Sequence, residues 1–350
     1  MTDLNRRALL QAGLAFPVAA MLGAEASAAD PYADAVLKPG PLPELPEGAF
    51  TVAVLPDTQN YCEAAPEGFY AQTQWLVEQK EQRNIAAVLH LGDITNRNTK
   101  PQWEVAQKAM RQLDGQLPYF FVPGNHDYSA GGVTSDRTSY LDEYFPIAHY
   151  RDRPHFGGTY DREPESMLNS YHLFSAGGRD FVVIGLEFGP RKDVVRWANE
   201  VAEKHKDREA ILITHAYVYY DETCYDWKKL GAKQHWNPHS YPLTKNGDDV
   251  SDGEELWNNL VSKHENFIMT LNGHVLYDGL GRVVSQTPGG RDVHQMLVNF
   301  QMKPRGGDGW MRLLEFSPDR KVNVIDYSPT RNELNVSKQN HFGLETAKIG

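Results

Sequence analysis

Short apolar segments alternate with longer amphipathic ones along this chain, and that alternation restricts the possible folds more than any other feature. The apolar segments are rich in β-branched and aromatic residues, as expected of strands buried on both faces of a sheet. They cover residues 50–55, 86–91, 119–122, 210–213 and 267–271. Amphipathic helical patterns cover residues 69–82, 101–114, 191–205 and 252–264. The pattern predicts a layered α/β fold, in which ligands bind at the carboxyl ends of the strands.

Further β patterns interrupt and follow this alternation. Gly177 and Gly178 separate two β-rich segments, 171–174 and 181–186, as the turn of a hairpin does. The remaining patterns cover 281–285, 293–300, 310–316 and 321–327, and they predict a second sheet packed on the first. Residues 216–250 have no clean period and are rich in aromatic residues, which favours a long functional loop.

The first 28 residues have the order of an export signal. Arg6 and Arg7 precede a weakly apolar stretch, and Ala26-Ser27-Ala28 provides a small-residue cleavage site. The twin arginines indicate the Tat route. The apolar stretch is interrupted by Gln11, Gly13 and Pro17 and falls short of the roughly 20 apolar residues that a membrane-spanning helix needs. We therefore expect a cleaved signal, no membrane span in the mature chain, and a periplasmic or secreted protein.

The amino-acid composition restricts the classes of partner that this chain is expected to bind. With 35 Lys and Arg against 46 Asp and Glu, the formal charge is −11, and the chain has no basic block. Basic residues supply most nonspecific affinity for nucleic acids, so no long nucleic acid is expected as a partner. The predicted organisation is a signal at 1–28, a Pro-rich lead at 29–49, one domain at 50–330 and a tail at 331–350. The sequence leaves the oligomeric state open.

Each of the five apolar segments ends in residues of the types that bind metals. In chain order they are Asp57 with Gln59, then Asp93, then Asn125 with His126 and Asp127, then His215, then His274. Taken singly, such residues are common in turns and helix caps. Because the carboxyl ends of parallel strands meet at one edge of a sheet, together they predict a single site. Carboxylate, amide and imidazole ligands suit divalent ions, and a carboxylate can bridge two of them.

These motifs, in this order, resemble those of the calcineurin-like metallophosphoesterases, and the run Gly124-Asn125-His126-Asp127 is the most specific of them. The resemblance covers about 50–330 and implies a layered α/β fold, a β-sandwich of two mixed sheets flanked by helices, with the site at the strand carboxyl ends. It implies that Asp57 binds one ion, that Asp93 bridges both, and that Asn125, His215 and His274 bind the second. It also implies that His126 stabilises the transition state or protonates the leaving oxygen, with Asp127 orienting it.

Two positions depart from the family motifs, and both affect the first ion. Gln59 stands where the family usually has histidine, as in a bacterial exported branch with an Asp-Thr-Gln motif, and Leu276 stands where a second histidine belongs. The Gln59 amide oxygen can still bind a harder ion, whereas Leu276 cannot bind any. His294 or Asp278 could replace the missing ligand, although a role confined to the second sheet is favoured. We expect one or two divalent ions (Mn, Fe, Zn or Mg), the first bound more weakly.

The reaction implied is hydrolysis of a phosphoester by metal-activated water. Low positive charge around the site favours a small or singly charged substrate, and the sequence does not distinguish monoester from diester. Four aromatic residues could contact that substrate, or their loop could pack on itself as a lid: Tyr217, Tyr220, Trp227 and Trp236. The alternative function is an exported, noncatalytic binding protein with a degenerate metal centre, although the presence of His126 argues against it.

Cys62 and Cys224 each follow a predicted ligand-bearing strand end. We expect both on the same rim, where export to an oxidising compartment would allow a disulfide. Two unpaired thiols are the alternative.

Overall fold

Two β-sheets packed face to face form the centre of the molecule. The computed structural model describes residues 30–348, and the residues from Asp34 onward form one compact unit. In chain order its strands are β1 (Leu37–Pro39), β2 (Phe50–Leu55), β3 (Ile85–His90), β4 (Tyr119–Phe121), β5 (Phe156–Thr159), β6 (Ser170–Ala176), β7 (Arg179–Leu186), β8 (Glu209–Thr214), β9 (Phe267–Asn272), β10 (Leu280–Gln286), β11 (Asp292–Val298), β12 (Met311–Phe316), β13 (Lys321–Ser328), β14 (Glu333–Asn335) and β15 (His341–Glu345).

Fewer α-helices than strands are described between residues 30 and 348. They are α1 (Gln59–Ala64), α2 (Pro66–Glu78), α3 (Lys100–Met110), α4 (Leu141–Tyr144), α5 (Lys192–Lys204), α6 (Trp227–Leu230), α7 (Pro242–Lys245), α8 (Gly253–Asn259) and α9 (Pro304–Gly307). Only α2, α3 and α5 are longer than seven residues. The four predicted helices correspond to α2, α3, α5 and α8, each of which ends before its predicted limit. Within residues 30–348 no helix has the length and apolar character needed to cross a bilayer.

Each sheet combines parallel and antiparallel strands. The first has the order β1-β14-β13-β12-β2-β3-β4, with β15 also paired to β13, and its parallel strands are β2, β3 and β4. The second has the order β10-β11-β9-β8-β7-β6-β5, and β7, β8, β9 and β11 are parallel. The predicted α/β class with two mixed sheets is therefore confirmed.

The strands read as continuous apolar runs because both of their faces are buried. On the outer face of the first sheet, Leu55 belongs to one hydrophobic cluster with Trp103 of α3. On the outer face of the second, Ile184 belongs to another cluster with Trp197 of α5. The inner faces meet directly, as where the rings of Phe50 and Phe181 lie 5.7 Å apart edge to face. The result is a four-layer arrangement of helices, sheet, sheet and helices.

The C-terminal strands do not form a sheet of their own, contrary to the sequence interpretation. Strands β10 and β11 extend the second sheet beside β9, whereas β12 and β13 complete the first sheet beside β2. Strand partners lie far apart along the chain, so a local pattern cannot assign them. The first sheet also extends beyond the predicted range of 50–330, because β1 from the lead pairs with β14 from the tail. The predicted signal at 1–28 lies outside the described residues.

The expected disulfide is not formed, and both cysteines are free. Cys62 lies on α1 and is buried in the hydrophobic cluster of the first sheet. Cys224 packs against the cluster of the second sheet, where its thiol lies 3.7 Å from Oε1 of Gln295. The loops that leave the two strand ends therefore carry their thiols into separate cores.

A buried histidine between the sheets should make stability depend on pH. The His172 ring stacks on Phe120 with centroids 4.2 Å apart, and burial lowers the pKa of His172 well below its usual value. An unfolded chain takes up a proton here near pH 6.5, so the contribution of His172 is fully present above that pH and is lost as the pH falls.

We expect His172→Phe to flatten the dependence of unfolding free energy on pH below about pH 6 by one proton, or about 1.4 kcal/mol per pH unit. Denaturant titrations at several pH values measure that slope. An unchanged slope would show that His172 is not kept neutral by the fold.

Candidate metal centre

The predicted ligands come from two sheets rather than from one parallel sheet. Asp57, Asp93 and Asn125 follow β2, β3 and β4 of the first sheet, whereas His215 and His274 follow β8 and β9 of the second. The expectation of a single parallel sheet is wrong in this respect. Both sheets nevertheless direct these strand ends to one edge of the sandwich, and the ligand-type residues meet there.

His215 lies between two carboxylates. Its Nε2 is 3.1 Å from Oδ1 of Asp93 and 4.0 Å from Oδ1 of Asp57. Burial alone would lower its pKa, but the charges of Asp93 and Asp57 outweigh burial and raise the pKa of His215 to about 9. Burial raises the pKa of Asp57, whereas His215 and His126 hold the pKa of Asp93 below its usual range despite burial. Positive charge is therefore strongly favoured between the two aspartates.

The two imidazoles are held by backbone carbonyls. Nδ1 of His215 donates to the Leu91 carbonyl at 2.8 Å, which leaves Nε2 as a lone-pair donor. Nε2 of His274 donates to the Trp236 carbonyl at 2.8 Å, which leaves Nδ1. Metal-binding histidines in proteins are usually held in this way, because a hydrogen bond at one nitrogen fixes the tautomer and the ring orientation. Asp93, His215 and His274 bring one potential ligand atom each within 4.8 Å of one another.

Several buried polar atoms at this edge have no hydrogen-bond partner among the described residues. They are Oδ2 of Asp57, Oε1 of Gln59 and Oδ1 of Asn125, while Nε2 of His215 has only its ionic contacts with Asp93 and Asp57. Nε2 of Gln59 donates to Oδ2 of Asp93 at 2.9 Å, so the orphaned atom of that amide is its oxygen. A buried polar group without a partner is costly, and orphans of these kinds at one place are what a cation would satisfy. The residues present therefore fit a divalent metal, with Gln59 among the oxygen donors.

Glycines allow the strand ends to approach this closely. A Cβ added to Gly124 would lie 2.1 Å from Oδ1 of Asp93, and a Cβ added to Gly273 would lie 2.0 Å from Oδ2 of Asp57. Each glycine immediately precedes a predicted ligand, so the Gly-Asn and Gly-His pairs of the sequence have a steric reason. The space that a side chain would occupy is filled by a carboxylate from another strand.

The backbone is strained at three of the ligands. Asp57, Asp93 and His274 have φ values of 41°, 47° and 77°. Left-handed backbone is uncommon for residues other than glycine and costs of order 1–3 kcal/mol where the surroundings impose it. The strain coincides with the positions where the carboxylates and imidazole converge.

The role predicted for Asp127 is not supported by its contacts. Its carboxylate accepts hydrogen bonds from the backbone of Ile94, Thr95 and Gly124 at 2.7–3.0 Å, and so joins the loops after β3 and β4. Among the described hydrogen bonds none links Asp127 to the ring of His126. The ring is oriented by Asn96 instead, whose carbonyl accepts a hydrogen bond from Nδ1 at 2.8 Å.

A cavity of about 170 Å³ opens onto these residues. Its walls include six predicted residues: Gln59, Asp93, Asn125, His126, Trp236 and His274. They also include Asn96, Tyr241, Gln301 and Met302, which no local motif marks as functional. Leu276 lines the cavity at the position of the missing histidine. Asp57 and His215 are almost fully buried beneath it.

Three of the four predicted substrate contacts do not line this cavity. Tyr217 follows β8 directly and is fully buried in the second hydrophobic cluster. The Trp227 ring stacks on His239, with centroids 6.0 Å apart. Tyr220 is exposed and packs on Tyr277, with centroids 4.2 Å apart. Of the four, only Trp236 lines the cavity, and its contact with a substrate stays a prediction.

Neither candidate replaces the ligand lost at Leu276. His294 lies on β11, and its Nε2 donates to the Glu345 carbonyl at 2.8 Å. Asp278 is exposed and accepts a hydrogen bond from the Leu280 amide at 3.2 Å. Both serve the strands around them, which was the favoured interpretation.

A histidine that no sequence motif marks connects two loops of the site. His90, at the end of β3, accepts a hydrogen bond from the Gly92 amide at its Nδ1 (3.2 Å), and its Nε2 lies 2.9 Å from the Thr58 hydroxyl. Burial lowers the pKa of His90 to about 3, so the ring is neutral. It connects the loops that carry Asp57 and Asp93. The sequence feature that could mark His90 as part of the site is its position inside an otherwise apolar segment.

This chain is similar to several known proteins. The family model described as calcineurin-like phosphoesterase matches residues 50–340. A Bacillus subtilis (strain 168) protein described as uncharacterized, YvnB, is 30% identical over 303 residues, covering 84% of this chain. The chain spans only 21% of that relative.

Solved structures are more distant. Purple acid phosphatase from Lupinus luteus is 14% identical with a TM-score of 0.48, covering 85% of this chain and 54% of that one. The 5'-nucleotidase precursor from Thermus thermophilus is 13% identical with a TM-score of 0.42, covering 85% and 54%. The chain thus spans about half the length of these proteins.

We expect Gly124→Ala to remove most of the bound metal, because the new Cβ must displace the Asp93 carboxylate. Gly343→Ala is the matched control, since no described atom lies within 4 Å of the Cβ it adds. Elemental analysis of the purified proteins, with circular dichroism to confirm folding, measures the effect. A Gly124→Ala protein with wild-type metal content would show that the position of Asp93 does not control metal binding.

Proposed function

Because this chain belongs to the calcineurin-like phosphoesterase family, we propose that it is a metal-dependent hydrolase of a small or singly charged phosphoester. The observation that carries the proposal is the set of orphaned donor atoms around His215 and the two aspartates. Asp57 and Gln59 would hold one ion, Asn125, His215 and His274 the other, and Asp93 would bridge them. When bound, such ions polarise a phosphoryl group and lower the pKa of a water molecule.

In the proposed reaction, His126 would act on the leaving group. Its ring lines the cavity, and its Nδ1 donates to the Asn96 carbonyl, which leaves Nε2 as the nitrogen that exchanges a proton. The carbonyl accepts the same hydrogen bond whether the ring is neutral or cationic. Nε2 can therefore give a proton to the departing oxygen while the ring stays in place.

The charge of the cavity supports a singly charged substrate. The described residues that line it include no lysine or arginine, and the neutral side chains of Asn96, Gln301 and Tyr241 complete its polar wall. A monoester dianion would receive little compensation from these groups beyond that of the ions. Export to the periplasm or secretion is also proposed, on the sequence of residues 1–28 alone.

A noncatalytic binding protein is the second candidate, and Leu276 favours it, since this cavity residue removes a ligand from the first ion. Metal content measured together with turnover of an aryl phosphate monoester and an aryl phosphodiester separates the two. Metal with turnover of either substrate supports the hydrolase. Metal without turnover supports the binding protein.

We expect His126→Ala to lower kcat by roughly 10²–10⁴, the usual contribution of a positioned acid, while metal content and folding stay near wild type. His294→Ala is the control, because the described hydrogen bond of that ring goes to the Glu345 carbonyl of β15. Loss of metal in His126→Ala would instead identify His126 as a ligand. An unchanged kcat would remove it from the mechanism.

We also expect two unequal metal affinities in the wild-type protein and a tighter first site in Leu276→His. The substitution places an imidazole where the cavity wall now has an aliphatic chain, whereas Leu276→Met changes the shape little and adds no nitrogen. Calorimetric titration of the metal-free proteins with manganese measures both affinities. Two equally tight sites in the wild type would contradict the weakened first site.

A further inference from the structure

Three aromatic residues form a continuous surface beside the cavity, which we call the aromatic ledge: Trp236, Tyr277 and Tyr220. The rings of Trp236 and Tyr277 lie 5.5 Å apart, and those of Tyr277 and Tyr220 lie 4.2 Å apart. Tyr277 is 48% exposed and Tyr220 37%. Trp236 is partly buried, its ring is tilted 48° to that of Tyr277, and the Tyr277 ring is tilted 39° to that of Tyr220. The exposed parts of the two tyrosine rings are open to contact with another flat, apolar group.

The ledge is joined to the metal-binding residues. Trp236 lines the cavity, and its carbonyl accepts the hydrogen bond that orients His274. Leu276 also lines the cavity and immediately precedes Tyr277. A molecule that reached the metal centre could therefore extend over the ledge without a break.

Folding stability does not account for the position of these side chains. Trp236 and Tyr277 have φ values of 62° and 66°, a conformation that is rare for bulky residues and costs free energy. The Tyr277 ring, which is 48% exposed, gains less from burial in return than a core residue would. Strain at an exposed aromatic residue beside the cavity points to a role at the surface.

The ledge is also fixed in place before any ligand arrives. The Tyr277 hydroxyl lies 2.9 Å from Nδ1 of His235, and Tyr220 packs on Tyr219, with centroids 4.7 Å apart. Tyr219 is itself only 3% exposed. A surface held in this way loses little entropy when it binds a ligand.

The aromatic ledge and His126 are carried by different sheets. His126 and Asn96 lie on loops that follow strands of the first sheet, whereas Trp236 and Tyr277 lie on loops that follow β8 and β9 of the second. With the leaving oxygen at His126, the ester group on the ledge is the one that stays on phosphorus. Only a diester carries such a second group.

Resting on the proposed function, we infer that the substrate is a phosphodiester whose retained ester group is a planar, uncharged ring bound on the aromatic ledge. Stacking of that ring lowers KM and leaves the chemistry at phosphorus to the metal centre. A retained alkyl group has no flat face to present, so it gains less from the same surface.

Two diesters with the same leaving group test this: p-nitrophenyl phenyl phosphate and p-nitrophenyl methyl phosphate, with p-nitrophenyl phosphate as the monoester. For the metal-loaded wild-type protein, kcat/KM should be about tenfold higher for the phenyl than for the methyl diester, mainly through KM. In Tyr277→Asn this ratio should fall towards one. Asparagine tolerates left-handed backbone, so that variant should fold, which its Tm verifies.

Two further variants locate the effect. Tyr277→Phe keeps the ring and should keep the ratio, and Tyr140→Asn removes another exposed tyrosine from a different surface and should leave the ratio unchanged. Equal values for the two diesters, or a ratio unaffected by Tyr277→Asn, would overturn the inference while the hydrolase stands. Turnover of the monoester alone would do the same. Turnover of none of the three would overturn the proposed function and this inference with it.

Discussion

The buried carboxylate of Asp93 is the contact on which the rest of the site depends. It accepts hydrogen bonds from the Gln59 side chain and the His126 backbone, both at 2.9 Å, and lies 3.1 Å from the His215 ring. Those partners come from the loops after β2 and β4 and from the end of β8. One side chain therefore sets the separation of three strand ends, and it joins the first sheet to the second beside the cavity.

Keeping this carboxylate ionised and buried imposes costs on its surroundings. Burial opposes the charge, and the neighbouring imidazoles and hydrogen bonds offset it. The left-handed backbone at Asp57, Asp93 and His274 adds strain that the sheets on either side must hold. The apolar strands and their flanking helices provide that rigidity, because residues packed on both faces of a strand leave its end no freedom to move. The tightly packed core therefore supports the strained backbone at the edge where the predicted ligands lie.

The sequence predicts well whatever short-range patterns encode. All five ligand-bearing strands and four helices lie near their expected positions, and Asp57, Asp93, Asn125, His215 and His274 converge because strand ends share an edge. The division of strands between sheets was not predictable, since β2 pairs with β12 across some 260 residues of sequence. The same limit applies to Asp127, whose neighbour in sequence is the His126 ring, because two of its three backbone partners lie 32 and 33 residues away in the loop after β3. No local pattern marks Tyr277, because its ring contacts are with residues 220 and 236, far from it in sequence.

Placing the ligands on both sheets has a consequence for the maturation of the protein. Of the six predicted ligands, four lie between residues 57 and 125 and two between 215 and 274, so neither portion of the chain can assemble the centre alone. Affinity for the ion then becomes part of the free energy that holds the two sheets in register. A bound ion would link the two sheets once both have folded, and local opening of either sheet would release it. Metal loss would in this way report damage to the sandwich before the chain as a whole unfolds.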